Sequence, residues 1–214
     1  SYHYDLGNDF YAAWLDKTMT YSSAVFQSDS DDLAVAQTNK YRRLADLADI
    51  RPGDHVLEIG CGWGGFAKYA IEERGARVTG ITISREQHNF ALNRLAEAGL
   101  SDRADVRLID YRDLTGKFDK IVSIEMFEAV GQAYWETYFR AVSALLKDGG
   151  RAVLQAITIE DNAFDEYVRE PDFIQRYIFP GGMLPSMPRL EQPVAEAGLK
   201  SVSYTHLRAH ETAM

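Results

Sequence analysis

His55-Val56-Leu57-Glu58-Ile59-Gly60-Cys61-Gly62-Trp63-Gly64-Gly65 begins as a short apolar run and ends as a glycine-rich turn, and a helical pattern opens directly after it. A strand, a tight turn and a helix in that order form the first half of a βαβ unit. The same alternation continues past residue 155, with strands expected at 55–60, 77–82, 105–109, 119–124 and 151–158 and helices at 64–74, 84–98 and 133–147. This periodicity predicts a parallel sheet flanked by helices. Ser84, followed by Glu86 and Gln87, reads as a helix N-cap, and Gly99 and Gly149 stand where helices are expected to stop. Ahead of the sheet, residues 1–50 form a segment rich in Tyr, Phe and Trp, with a helix expected over about 30–48. Arg51-Pro52-Gly53-Asp54 is the turn that leads into the first strand.

Composition bounds what such a chain does. Its 214 residues allow one α/β domain with a modest extension, and 46% hydrophobic residues are ample for a packed core. The formal charge of -9 argues against nucleic acid as a partner and gives no broad attraction to anionic lipid. Cys61 is the single cysteine, so no internal disulfide forms, and with five His it shows no metal-ligand spacing. A reducing cytoplasm is the expected location. No apolar run reaches the ~18 residues a membrane span needs, which leaves peripheral contact with a membrane open.

The glycine turn is where a ligand is expected. Glycines let backbone approach a ligand closely, and the helix start presents unpaired N–H groups. Gly60, Gly62 and Gly65 satisfy G-x-G-x-x-G, so a dinucleotide site is one reading. Such a site usually carries an acid on the ribose about 20 residues later, yet the second strand ends Gly80-Ile81-Thr82-Ile83-Ser84. A turn that serves packing alone is the other reading.

Glu58 inside E-x-G-x-G-x-G is the pattern of S-adenosylmethionine-dependent methyltransferases, and further motifs sharpen the likeness. His3-Tyr4-Asp5-Leu6-Gly7-Asn8-Asp9-Phe10-Tyr11, Trp14-Leu15-Asp16 and Met19-Thr20-Tyr21-Ser22 precede LEIGCGWGG; GITISREQ, DYRD, FDKIVSIEMFEAVG and FIQRYIFPGGMLPS follow. Together they resemble the cyclopropane-fatty-acyl-phospholipid synthase family, which includes mycolic acid cyclopropane synthases and related fatty-acid methyltransferases. The resemblance runs to about Gly198. It implies a Rossmann-like class I methyltransferase domain over 51–201, an N-terminal helical cap over 1–50 and an acyl-channel loop over 160–187. The family's C-terminal antiparallel strands are expected to be missing. The last dozen residues, SYTHLRAHETAM, resemble a translated sequencing adapter, and 202–214 are expected to be a non-native tail.

The resemblance also implies a site. Tyr21 and Ser22 would close over the methionine end of S-adenosylmethionine. The stretch from Val56 to Gly64, with Glu58, Gly60, Cys61, Gly62, Trp63 and Gly64, would cradle its carboxylate and ribose. Thr82, Ile83 and Gln87 would hold ribose and adenine, and Tyr111 would flank the adenine. From the residues alone, Tyr111 reads equally as an aromatic shielding the core, Gln87 as a helix cap, and Cys61 as packing. The family's reaction transfers a methyl to the cis double bond of an unsaturated phospholipid acyl chain, and proton loss then closes a cyclopropane. Its base is a bicarbonate ion, whose holders map onto Glu128, Ser23, Gln155 and Ile157. Ser23 stands where the family has a Cys and Gln155 where it has a His, Met183 occupies a position where some relatives carry a Cys, and the distal Tyr falls beyond Ser201. These departures keep a methyl-branched or methylene product open, and also a non-catalytic fragment that binds cofactor or lipid. Glu128 reads alternatively as a carboxylate answering a helix dipole. Phe26, Phe127, Phe173, Tyr177, Ile178 and Phe179 are expected walls of the acyl channel or ordinary core. Arg42, Arg43, Arg169 and Arg176 are headgroup candidates or solvated charges. Partners are then an unsaturated phospholipid and, transiently, the inner face of the membrane, with the oligomeric state open.

Overall fold

The computed structural model describes residues 7–170 and 172–205. Five strands, β1 (His55–Ile59), β2 (Arg77–Thr82), β3 (Ala104–Leu108), β4 (Phe118–Ile124) and β5 (Leu146–Gln155), form one sheet in the order β3-β2-β1-β4-β5. Every neighbouring pair is parallel, with Glu58 of β1 beside Gly80 of β2 and Val122 of β4. The order reverses direction at β1, and the crevice above β1 and β4 is where such sheets bind ligands.

Among the described residues seven α-helices accompany the sheet: α1 (Asn8–Ala12), α2 (Leu33–Ala48), α3 (Gly65–Arg74), α4 (Arg85–Glu97), α5 (Trp135–Leu145), α6 (Asp161–Arg169) and α7 (Met187–Glu196). Side chains alternate across the strands and so feed two cores. Val56, Val78 and Val122 pack with Leu44 of α2, Phe66 and Ile71 of α3 and Leu95 of α4. Leu57, Ile81 and Ile121 face the other way, against Tyr138 and Val142 of α5, Phe164 of α6 and Leu190 of α7. Helices therefore cover both faces, as the periodicity predicts. Ser84 caps α4, its hydroxyl accepting from the Gln87 N–H at 3.3 Å. Asp32 does the same for α2, accepting from the Val35 N–H at 2.8 Å.

Three expectations need correction. Gly149 does not stop a helix: α5 ends at Leu145, and β5 begins directly at Leu146 with an irregular register before Arg151. Its positive φ of 72° lies in that irregular stretch, whose exposed residues show no apolar alternation to betray a strand. β5 also ends at Gln155, three residues short of 158, where the chain turns toward the Glu128 carboxylate. The first part of the expected 160–187 loop is α6, an amphipathic helix that buries Phe164. Among the described residues no strand follows β5, and no helix is long and apolar enough to cross a membrane. His3 to Leu6 and residues 206–214 of the suspected tail lie outside the described residues.

Candidate functional site

A cavity of about 530 Å³ opens at the C-terminal ends of β1, β2 and β4. Its floor is the glycine turn. Gly60, Gly62 and Gly64 have φ of +79°, +51° and +78°, a region L side chains disfavour. At Gly60 a Cβ would also lie 2.7 Å from the Met126 Cγ, so the turn and the segment after β4 are in van der Waals contact only because that side chain is absent. Gly80 performs the same service for Cys61, whose Cβ stands 2.9 Å from where a Gly80 Cβ would be.

Eleven of the twelve expected cofactor residues line this cavity. Tyr21 and Ser22 form one wall, Glu58, Gly60, Cys61, Gly62 and Trp63 the floor, and Thr82, Ile83, Gln87 and Tyr111 the far side. Gly64 stands back as the N-cap of α3, with Ala91 packed where its Cβ would be. Val56, at the start of the expected cradle, is core. Gln87 is buried, its Oε1 accepting from the Thr82 hydroxyl at 2.8 Å. Tyr111 packs edge-on against Tyr138 with ring centroids 5.4 Å apart, which fixes the face it offers the cavity. Burial pushes the Cys61 thiol well above its ordinary range, consistent with packing rather than nucleophilic chemistry.

Glu58 is fully enclosed, and burial raises its carboxyl well above the usual range against the pull of the Ala67 N–H. Its Oε2 has no partner among the described residues. An orphaned carboxylate oxygen at one end, apolar Ile83, Ile109 and Tyr111 at the other, and a helix N-terminus between them suit an amphipathic ligand with a charged amino-acid end and an aromatic base. The residues present therefore fit S-adenosylmethionine.

The strap from Thr18 to Ser23 that walls the cavity is held by residues the sequence reading missed. Gln37, Lys40 and Tyr41 share one face of α2 at the i, i+3, i+4 spacing. Gln37 donates to the Ser22 carbonyl at 2.8 Å, Lys40 to the Ser22 hydroxyl, and Tyr41 shares a 2.7 Å bond with Thr20. Arg94 of α4 donates to the Thr18 carbonyl at 2.8 Å and to the Trp63 carbonyl at 3.3 Å, tying strap to turn. Lys40 has no exposed surface, and burial lowers its pKa from 10.5 to about 8 against the attraction of Glu125, Glu58 and Asp16. Their i, i+3, i+4 spacing, which sets Gln37, Lys40 and Tyr41 on one face with Leu44, was the signal available for these residues.

The four expected reaction residues fall into two groups. Glu128 and Ile157 meet, the Ile157 N–H donating to Glu128 Oε1 at 2.5 Å. Burial raises the Glu128 carboxyl to about 7, and Glu125 adds to the rise. Ser23 and Gln155 instead converge on Glu125. Its Oε1 accepts from the Ser23 N–H at 3.0 Å, from the Ser23 hydroxyl, and from Gln155 Nε2 at 2.9 Å. Glu125 lines the cavity, while Glu128, Ser23, Gln155 and Ile157 do not. The bicarbonate implied by the resemblance does not fit these residues. Two of its expected donors already serve a carboxylate, and a second anion there would face Glu125 and Glu128 together.

Among the expected channel walls, Phe127 is core, closed in by Trp135, Tyr138 and Phe139. Phe173 and Tyr177 are 64% and 70% exposed and lie against each other as a tilted pair with ring centroids 5.1 Å apart, so they surround no tunnel. The loop that follows them reaches the cavity through Pro180 and Gly181. Met183 packs beside the core of the α5 face, its N–H donating to the Glu128 carbonyl at 2.7 Å.

Comparison with known proteins agrees with this geometry. The family profile described as mycolic acid cyclopropane synthetase matches residues 1–213. Tuberculostearic acid methyltransferase UfaA1 of Mycobacterium tuberculosis is 43% identical, the match covering 97% of this chain and 50% of that protein. Cyclopropane-fatty-acyl-phospholipid synthase of Escherichia coli K12 is 42% identical over 89% of this chain and 47% of its own length. The chain thus spans about half the length of these curated relatives. The crystal structure of mycolic acid cyclopropane synthase CmaA1 complexed with SAH and CTAB superposes with a TM-score of 0.86 at 32% identity, covering 92% of this chain and 72% of that one. With the Rossmann-like methyltransferase sheet, the glycine turn under the cavity and a family match along nearly its whole length, the chain belongs to the mycolic acid cyclopropane synthetase family.

Proposed function

We propose that this chain carries the cofactor and reaction site of an S-adenosylmethionine-dependent C-methyltransferase that acts on the cis double bond of an unsaturated phospholipid acyl chain and forms a cyclopropane. The observation that carries the reading is the cavity itself, in which the expected cofactor residues converge and a carboxylate, Glu125, stands on the wall. The bound cofactor supplies an electrophilic methyl group. The residues of the chain do the rest. The glycine turn and the α3 N-terminus bind the polar end, Glu58 and the strap orient it, and Tyr21, Trp63 and Tyr111 exclude water from around it. Positive charge that develops on the acyl chain is stabilised by Glu125 and, from behind it, by the ionised fraction of Glu128.

A second reading, transfer that ends as a methyl-branched or methylene product, draws support from the capture of Ser23 and Gln155 by Glu125 and from a 43% identical relative named as a tuberculostearic acid methyltransferase. Transient contact with the cytoplasmic face of a membrane is supported by exposed Phe173, Ile174 and Tyr177 just before Pro180 and Gly181 at the cavity. Lipids from cells expressing the protein test these readings together. Ring protons in the proton NMR spectrum of the extracted acyl chains establish the cyclopropane, and either exocyclic methylene protons or the methyl doublet of a branch establishes the second product. Calorimetry that finds cofactor binding without turnover of any unsaturated lipid would leave a non-catalytic binding fragment.

A further inference from the structure

Glu125 occupies an unusual backbone position directly after β4, with a φ of +46°. A side chain in that region is strained, and such strain persists where surrounding contacts over-determine it. Here the contacts are those of the carboxylate. All three donors, the Ser23 N–H, the Ser23 hydroxyl and Gln155 Nε2, end on the single oxygen Oε1. The Glu125 N–H is held as well, donating to the Gln155 carbonyl at 2.8 Å. Oε2 takes no hydrogen bond from the described residues, and Glu125 is one of the residues that line the cavity. The result is a carboxylate clamped by one oxygen with the other left as an acceptor. Gln155, about nine-tenths buried, has no other partner for its side-chain amide N–H than Ser23 and Glu125 among the described residues, so it is committed to this clamp. Glu128 lacks that access: one oxygen is taken by the Ile157 N–H and the other is buried without a partner.

We propose that Glu125 is the proton acceptor of this site, a base built into the chain at the place where an exogenous bicarbonate was expected. This rests on the methyltransferase reading above. After a methyl carbon has bonded to one carbon of the double bond, the neighbouring carbon is electron-deficient. Glu125 Oε2 takes a proton from the methylated chain. The electron pair of that C–H bond becomes the new C–C bond of a ring or, where a hydride has first shifted from the methylated carbon to its electron-deficient neighbour, the C=C bond of a methylene branch, and in either case it quenches the positive charge. Glu125 leaves the step as a neutral carboxylic acid and returns the proton to solvent. Ser23 and Gln155 are positioning residues for it, which explains how both depart from the expected Cys and His.

Two variants test this. Glu125→Gln keeps the shape and removes the base, and turnover of an unsaturated lipid is expected to fall by roughly 10² or more, with the calorimetric Kd for S-adenosylmethionine within about threefold of the parent's. Glu125→Gly suits the positive φ and empties the space between Ser23 and Gln155. Its turnover is expected to fall equally and to recover at least about tenfold when formate or bicarbonate is added, whereas the parent rate stays unchanged by either. The proposal is overturned if Glu125→Gln keeps turnover within about threefold, if the folded Glu125→Gly variant is not rescued, if either variant loses cofactor affinity, or if bicarbonate accelerates the parent. A parent that binds cofactor yet methylates no acyl chain removes the functional reading and this proposal with it; an active parent with an active Glu125→Gln removes the proposal alone.

Discussion

Replacing Lys40 by Met isolates the cost of a buried cation beside the cofactor strap. Lys40 has no exposed surface, and burial, outweighing Glu125, Glu58 and Asp16, brings its pKa from 10.5 down to about 8. At 1.36 kcal/mol for each tenfold change in proton affinity, that fall corresponds to about 3 kcal/mol of folding free energy. Below pH 8 both folded and unfolded chains hold the proton, so the folded state carries the whole penalty. Between pH 8 and 10.5 the unfolded chain binds more protons than the folded one, and stability contributed at this site rises with pH by up to about 1.4 kcal/mol per pH unit. Lys40→Met has no such group. Urea unfolding of parent and variant from pH 7 to 10.5 should show the difference between them moving by about 3 kcal/mol in the parent's favour, all other titrations cancelling. A difference constant within about 0.5 kcal/mol refutes a desolvated, protonated Lys40. At pH 7 the variant also frees the Ser22 hydroxyl, so its affinity for S-adenosylmethionine should fall by about tenfold even where its stability does not.

Gly60→Ala places a methyl 2.7 Å from the Met126 Cγ at a φ of +79°; a stability loss of about 2–4 kcal/mol in denaturant melts is expected, with loss of cofactor binding by calorimetry. Glu128→Gln should remove a limb near pH 7 from the pH–rate profile, because the parent carboxylate ionises as pH rises through about 7 and adds negative charge behind Glu125; an unchanged profile disproves the assignment. Tyr111→Ala removes the aromatic wall and its edge-on contact with Tyr138, and should weaken S-adenosylmethionine by about 10–100-fold in calorimetry while costing only about 1–2 kcal/mol of stability in denaturant melts. Phe173→Ser with Tyr177→Ser should reduce cosedimentation with phosphatidylglycerol vesicles at least about threefold; equal binding removes these two rings from the membrane contact.

The parallel sheet was legible because parallel strands are buried on both faces and read as apolar runs, and because crossover helices separate them at regular intervals. HVLEIG and RVTGIT carry that signal, and β1 and β2 lie within a residue of where they were expected. The convergence of the residues expected to hold the cofactor was legible for a related reason: they sit at or just after strand ends, where topology alone brings Glu58, Thr82 and Tyr111 to one crevice. Lys147-Asp148-Gly149-Gly150 shows neither alternation nor an apolar run, so the irregular entry of β5 was hidden behind a glycine that resembles a helix stop. The grouping of reaction residues was hidden more deeply. Ser23, Glu125 and Gln155 lie 102 and 30 residues apart in pairs and meet only after β4 and β5 pair and α2 presses the strap onto the sheet. No spacing rule reports which of Glu125 and Glu128 accepts from Ser23 and Gln155, because that choice depends on a left-handed backbone turn at Glu125 and on the depth at which packing buries its neighbour. Local chemistry thus specified the sheet and the glycine turn, while the carboxylate that Ser23 and Gln155 hold beside the cavity was selected by contacts that exist only once distant segments have packed.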